Sequence, residues 1–337
     1  MKVAHVHADL PPDTHGGVAW QVHRLACAQV RHGHQVTVIT FSAGPAGAPY
    51  AVTRLEGRAR GLARLFLTGL AFARADYAGY DVVHFHGDSY LAHPRAPTVR
   101  TFYGSAISEM WHATSWRFRV SQALVYPMEL VAMLRADRAV GISEATRAAL
   151  PGVRELVPCG VDTAVFHPGG ARSAAPSVLF VGTLGGRKRG GLLVRAFADV
   201  VRARIPGAEL WVVGDDAVEG PGVRALGRLS EEALADAYRR AWVFCLPSSY
   251  EGFGVPYVEA MASGTPVVAT GNPGAREVTR GGAGVLTADA ELGATLADLL
   301  SDDARRDALA TAGRARALDY DWSRVVALYD RIYTELT

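Results

Sequence analysis

Short apolar runs alternate along the chain with stretches whose apolar positions recur at helical spacing. Residues 2–7, 36–41 and 81–86 are runs of the kind buried on both faces of a parallel sheet. Residues 18–32 carry a helical pattern that stops at Gly33, a residue suited to the left-handed turn that ends a helix. Strand, helix and strand at this spacing predict a parallel sheet, because a parallel pair needs a long crossover. Arg138 to Ile142 predicts another strand, with Ser143 as N-cap of a helix reaching about Leu150. The pattern then restarts, with strands at 177–182, 209–213, 242–246 and 266–270 and helices over 189–203, 230–240 and 255–263. Between the two series, Phe166 to Pro176 is rich in Gly, Pro and Ala, lacks periodicity and reads as a linker near residue 170. The fold class is therefore α/β, with two doubly wound Rossmann-like domains over residues 1–168 and 169–318. A closing segment, 319–337, remains. From Asp321 to Leu336 it is amphipathic, and Trp322, Val325, Val326, Leu328, Tyr329 and Ile332 form a side expected to pack back on the first domain.

Composition narrows the function classes. A chain of 337 residues with 49% hydrophobic and 20% charged residues can bury two sizeable cores. Its 35 basic and 33 acidic residues leave a formal charge of +2, which gives no argument for a nucleic-acid partner. Cys27, Cys159 and Cys245 are odd in number and far apart, so neither a disulfide framework nor a zinc site is expected, and a reducing cytoplasm is. Met1 runs straight into a strand-like segment without the charged and apolar regions of a signal peptide. The apolar run from Leu65 to Phe72 is bounded by Arg64 and Arg74 and is too short to span a bilayer. The arginine-rich stretch from Arg54 through Arg58, Arg60 and Arg64 has two readings. An ordinary domain helix with a charged outer face is favoured over a basic amphipathic helix resting on anionic lipid, so peripheral membrane contact is open but not favoured.

Ligands of an open parallel sheet bind at the carboxyl ends of its strands, where helix N-termini offer free N–H groups. Both domains carry glycines there. The first strand leads into Pro11 to Gly17, whose Gly16 and Gly17 let backbone approach a ligand; a plain tight turn is the other reading. In the second domain, Val181 to Lys188 joins a strand to a helix and places Arg187 and Lys188 beside Gly182. Two cations at a glycine-rich helix start suit a diphosphate, whose charge grows as it leaves; a solvated basic turn is the bland alternative. No segment has the spacing of a phosphate-binding P-loop, and neither domain opens with a dinucleotide fingerprint.

Pro247 to Val268 is the most specific segment. Glu251 lies in a loop after a strand, followed by Gly252, Phe253, Gly254 and Val255, and Pro256 is placed to start the next helix. Glu259 then falls about one turn inside that helix among Val258, Ala260 and Met261. A carboxylate buried there requires strong hydrogen bonds, which ribose hydroxyls would supply. Glu251 would face sugar hydroxyls, and the N–H groups of residues 253–255 would meet a diphosphate.

Two glutamates in the form Glu-Gly-Phe-Gly followed by Glu-Ala-Met-Ala-x-Gly-x-Pro-Val-Val resemble the donor motif of glycosyltransferase family four. Val157 to Asp162 with Phe166-His-Pro168 is similar to that family's strand end before the linker. Gly182 to Lys188 resembles its phosphate loop, Ala225 to Glu231 with Leu226 its nucleobase loop, and Asp321-Trp322 the start of its closing helix. The resemblance covers nearly the whole chain, most strongly from about residue 138. It implies a GT-B fold with two domains facing a central cleft, an acceptor-binding first domain and a donor-binding second domain. It also implies a UDP- or GDP-sugar co-substrate, retention of configuration, and no metal or other cofactor. The acceptor would be a small molecule, a glycan or a glycolipid, an oligosaccharide or natural product being the leading expectation. The chain departs from the family's pattern twice: Gly182-Thr183 stands where many relatives have Gly-Arg, and Tyr103 where many have a histidine.

Under this reading Lys188 and Arg187 stabilise the leaving group by preorganised charge, and Glu251 positions the donor sugar. His86, Tyr103 and Trp111 are the candidates for the acceptor side, with a satisfied core histidine and core aromatics as the alternatives; Trp116 shares that reading. Three rivals remain open: a nucleotide-sugar epimerase, a phosphorylase on the same fold, and a non-catalytic nucleotide-sugar sensor.

Overall fold

The computed structural model describes residues 1–14, 16–57, 61, 63–112 and 115–337, the side chain of Leu65 excepted. Arg58 and Arg60 of the arginine-rich stretch lie outside the described residues. The chain forms two compact units: Met1–Gly160 joined by Trp322–Thr337, and Val161–Asp321.

In the first unit seven parallel strands lie in the order β3-β2-β1-β4-β5-β6-β7. They are β1 (Lys2–Val6), β2 (Gln35–Thr40), β3 (Ala51–Arg54), β4 (Val82–Phe85), β5 (Thr98–Phe102), β6 (Arg138–Gly141) and β7 (Glu155–Leu156). Every residue of β4 and β5 is buried, as in the central strands of a sheet covered on both faces, although β4 carries His84 and β5 carries Thr98, Arg100 and Thr101. The helix Gly17–Arg31 buries Val22, Leu25, Ala26 and Ala28 and ends at Gly33, whose φ is +88°. Ser143 caps the helix Glu144–Ala149 by accepting the Thr146 N–H at 3.2 Å.

In the second unit six parallel strands run β10-β9-β8-β11-β12-β13. These are β8 (Ser177–Val181), β9 (Glu209–Val213), β10 (Val223–Gly227), β11 (Val243–Leu246), β12 (Val267–Thr270) and β13 (Val285–Thr287). The helix expected over 189–203 is interrupted: Gly190–Ala196 is α-helical, Phe197–Val201 forms a π turn, and α-helix resumes at Arg202–Arg204.

The chain changes unit at Gly160, not at the linker expected near residue 170. Phe166 is fully buried with its ring 6.0 Å from that of Tyr238. The Arg172 guanidinium donates to Gly264 O at 2.6 Å, Thr265 Oγ1 at 3.0 Å and Arg239 O at 3.1 Å. Those bonds tie an irregular, glycine- and proline-rich stretch to the second unit. The two crossing strands of chain pair instead, Val161 N–H donating to Tyr320 O at 2.9 Å.

The last helix, Trp322–Leu336, belongs to the first unit. Trp322, Val325, Val326, Tyr329 and Ile332 pack with Val3, Val82, Val99, Val140 and Val157, and Leu328 is partly buried against them. The junction is close. A Cβ on Gly160 would lie 2.4 Å from the Trp322 ring, so no larger residue fits there.

Candidate active site

The strand order of the second unit reverses between β8 and β11, so the loops leaving their carboxyl ends diverge and open a crevice. Both sequence-predicted loops leave from these two strands. The first carries Gly182 to Lys188, the second Ser248 to Val255. Lys188 Nζ donates to Glu251 Oε1 at 2.7 Å and Arg187 Nη1 to Oε2 at 3.3 Å. Ser248 Oγ adds a third bond, to Oε1 at 2.7 Å. Glu251 is buried, Lys188 is mostly covered and Arg187 is nearly half exposed. A buried carboxylate is tolerable here because it has two cations and a hydroxyl.

Backbone geometry explains two of the glycines. Gly182 has φ +147°, and a Cβ there would sit 3.1 Å from the Lys188 side chain, displacing the stem that aims the ammonium. Gly254 has φ +95°, immediately before the helix Val255–Ala262, and a Cβ would meet the Tyr257 ring at 2.4 Å. Pro256 takes its place in the first turn of that helix. Gly252 is half-buried and Phe253 fully so, the Phe253 ring edge-on to Tyr320 at 5.3 Å. Glu259 is buried on the same helix and accepts the Tyr238 hydroxyl at 3.2 Å. Leu226 is half-buried on β10.

Three contributors were not singled out from sequence. Ser248 holds Glu251. Asn272 caps the helix Pro273–Val278 through Ala275 N–H at 3.0 Å while its amide donates to Ser248 O at 3.1 Å. Arg189 donates to Pro247 O at 2.7 Å and pairs with Asp289 at 2.6 and 2.9 Å, tying the cation loop to the strand that delivers Glu251. The Asn272-Pro273 pair is itself an N-cap followed by a helix-starting proline, a signal legible in the sequence.

In the first unit Gly16 caps the helix Gly17–Arg31 with no side-chain bond, and a Cβ on Gly17 would meet nothing within 4 Å. The Gly16 N–H donates to Thr14 Oγ1 at 3.2 Å. His86 is buried, with Nε2 2.8 Å from His5 Nδ1 and Nδ1 2.9 Å from Tyr103 Oη. His5 Nε2 lies 2.6 Å from Gln29 Oε1, which can only accept. His5 thus donates through Nε2 and accepts through Nδ1 from His86, and His86 in turn accepts the Tyr103 hydroxyl proton. Tyr103 is left with acceptor lone pairs toward a pocket it shares with Ser105, Glu109, Gln122 and Glu129. His84 completes the group, 2.6 Å from Tyr333 Oη and 2.8 Å from Thr101 Oγ1.

Burial holds all three imidazoles neutral. It lowers His5 to about 4 against the Gln29 bond, which acts the other way. Burial, then the neighbouring histidines and Arg100, lower His84 and His86 well below the usual value. Ring nitrogens of His5, His84 and His86 lie within 4.8 Å of one another, near enough for one ion. A metal would have to break bonds that each imidazole already makes at both nitrogens. Trp111 does not join this pocket. It stands 74% exposed on the helix Ala106–Trp111 and Trp116 is 71% exposed, so the reading of either as a core aromatic fails.

The family described as "Glycosyltransferase Family 4" matches residues 15–165, and that described as "Glycosyl transferases group 1" matches residues 175–302. A phosphatidyl-myo-inositol mannosyltransferase of Mycolicibacterium smegmatis is 31% identical, over 75% of this chain and 71% of the relative. The chain belongs to glycosyltransferase family 4. Another phosphatidyl-myo-inositol mannosyltransferase, from Mycobacterium tuberculosis, is 29% identical to this family 4 enzyme over 95% of its chain and 93% of the relative. Sucrose-phosphate synthase from Thermosynechococcus elongatus shares the fold with a TM-score of 0.82, at 23% identity over 99% of this chain and 98% of that one. The fold is GT-B, with the two Rossmann-like units described above. No helix among the described residues is long and apolar enough to cross a membrane.

Proposed function

We propose that this glycosyltransferase moves a sugar from a UDP- or GDP-sugar to an acceptor hydroxyl with retention of configuration and without a metal. The observation that carries the reading is the pair of cations, Lys188 and Arg187, gathered on Glu251 at the carboxyl ends of β8 and β11. A diphosphate set there gains charge as the anomeric C–O bond breaks, and preorganised cations stabilise it most at that moment. The acceptor oxygen forms the new bond to the anomeric carbon from the face the diphosphate leaves, and its proton passes to the departing phosphate oxygen. Glu251 positions the sugar hydroxyls, Glu259 receives the ribose hydroxyls and Leu226 packs against the base. The N–H groups of residues 253–255 meet phosphate oxygens, and Gly16 and Gly17 are donor-side candidates of the first unit. Tyr103, its proton committed to His86, accepts a hydrogen bond from a second, non-reacting hydroxyl of the acceptor. The named relatives act on a phosphatidyl-inositol, which makes glycolipids part of the acceptor screen.

The test is a screen of UDP- and GDP-sugars for nucleoside diphosphate released in step with glycoside, in excess chelator. Stoichiometric release is expected. An altered donor sugar without release would indicate an epimerase, and donor binding without turnover a sensor. Loss of activity in chelator with rescue by magnesium or manganese would refute metal independence.

Glu259→Gln offers an independent check of the ribose assignment. Ribose hydroxyls do not change during transfer, so weakening their bonds costs the ground and transition states alike. The expected mark is a raised Michaelis constant for the donor with turnover largely kept. A folded variant that loses turnover at unchanged donor affinity would place Glu259 elsewhere in the mechanism.

A further inference from the structure

Arg189 keeps a backbone that an arginine disfavours. Its φ of +52° and ψ of +36° lie in the left-handed region, where a Cβ crowds the following carbonyl and glycine is the usual occupant. The residue stands between the short turn Gly186–Lys188 and the helix that starts at Gly190, so its conformation decides where Lys188 leaves the chain. The next position has no slack. A Cβ on Gly190 would lie 2.7 Å from the Phe180 ring. A residue kept in a disfavoured backbone must be held there by its surroundings.

The bonds that hold it span three strands. Besides Pro247 O beyond β11 and the two Asp289 oxygens beyond β13, the guanidinium donates to Thr270 Oγ1 at the end of β12, at 3.1 Å. Thr270 Oγ1 donates in turn to Ser248 O at 2.8 Å, and Ser248 Oγ to Glu251. The pair with Asp289 is bidentate, a geometry that fixes a guanidinium in orientation as well as place. Lys188 is thus flanked by two fixed points, since Arg187 O accepts the Ser249 N–H at 2.8 Å on its other side. A flexible lysine stem is aimed only as well as its backbone is held.

We infer that Arg189, locked by Asp289, is a positioning residue that holds Lys188 where a departing nucleoside diphosphate needs it. The inference rests on the leaving-group role proposed for Lys188 and goes beyond it, because Arg189 and Asp289 act only through Lys188. An Arg189 that merely stabilised the fold would act independently of that lysine.

Free UDP and GDP are the probes, since they carry the charge that leaves, and calorimetry on the full chain gives their dissociation constants. Lys188→Ala should weaken binding of the preferred nucleotide by roughly tenfold to a hundredfold, the share of one charge-assisted hydrogen bond. Arg189→Gly suits the left-handed turn and should lose most of that same factor. Asp289→Asn, at a half-exposed position, should lose part of it. Arg189→Gly added to Lys188→Ala should cost nothing further, the mark of two residues acting as one. Losses that add in the double variant, or unchanged binding in folded Arg189→Gly and Asp289→Asn, overturn the inference and leave Lys188 in its role. If Lys188→Ala binds as tightly as the wild type, or neither nucleotide binds, the leaving-group reading fails and this inference with it. Melting temperatures establish folding, and if Arg189→Gly unfolds, Asp289→Asn with and without Lys188→Ala decides by the same comparison.

Discussion

Lys188→Ala is expected to lower turnover by roughly two to three powers of ten, the loss seen when one preorganised electrostatic donor is removed from a reacting site. The structure adds a competing explanation that the experiment must separate. Lys188 also neutralises the buried Glu251 carboxylate, so its loss could act by leaving that charge with Arg187 and Ser248 alone. If neutralising Glu251 were its whole role, Lys188→Ala combined with Glu251→Gln would recover turnover relative to Lys188→Ala alone, the charge in need of a partner being gone. If the ammonium meets the departing diphosphate, the double variant recovers nothing. Single-turnover rates at saturating donor read the chemical step, and thermal melting confirms that each variant is folded. Near-normal turnover in folded Lys188→Ala, or its return in the double variant, removes Lys188 from the leaving-group role.

The second unit was legible in sequence because its signals are local. Four of its strands are short, fully apolar or nearly so, and each stands before a loop or helix whose glycine, serine or proline fixes the boundary. Glu251 was placed by the strand before it and the glycines after it, and Glu259 by Pro256, since a proline that starts a helix sets the register of what comes after. β10 escaped because its side chains are half-exposed, leaving no apolar run, and β3 for the same reason. The pairing of Lys188 and Arg187 with Glu251 was not legible either. It joins residues more than sixty positions apart, and only the adjacency of β8 and β11 brings them together. The linker reading failed through the opposite error: Gly, Pro and Ala describe an irregular backbone, but Arg172 decides to which unit it is bound.

The three buried histidines of the first unit should make it acid-labile. His5 titrates near 4 in the folded chain against 6.5 for the free side chain, chiefly because burial disfavours the charged ring. His84 and His86 are shifted the same way, by burial first and then by the neighbouring histidines and Arg100. The sign follows from linkage. Below pH 6.5 the unfolded chain takes up protons that the folded one refuses, so this stability is full above 6.5 and drains away as the pH falls toward 4. His5 alone should cost about 2 kcal/mol at pH 5, and the other two add to it, against a total stability on the order of 5–15 kcal/mol. The loss should appear first where the network fastens the last helix. Tyr333 contacts His84 at 2.6 Å and Gln29 at 3.1 Å, and Tyr329 contacts Thr101, the other partner of His84, at 2.9 Å. Protonated imidazoles can no longer accept from Tyr103 or from one another, so charging disrupts the network that Trp322–Leu336 packs against while the apolar side of that helix remains. Melting temperature followed from pH 7.5 to 4.5 should fall steeply below about 6, and hydrogen exchange at pH 5 should open Trp322–Leu336 and β4 before the strands of the second unit. A melting temperature that stays level down to pH 5, or exchange that opens the second unit first, would show that the histidines do not set the acid limit.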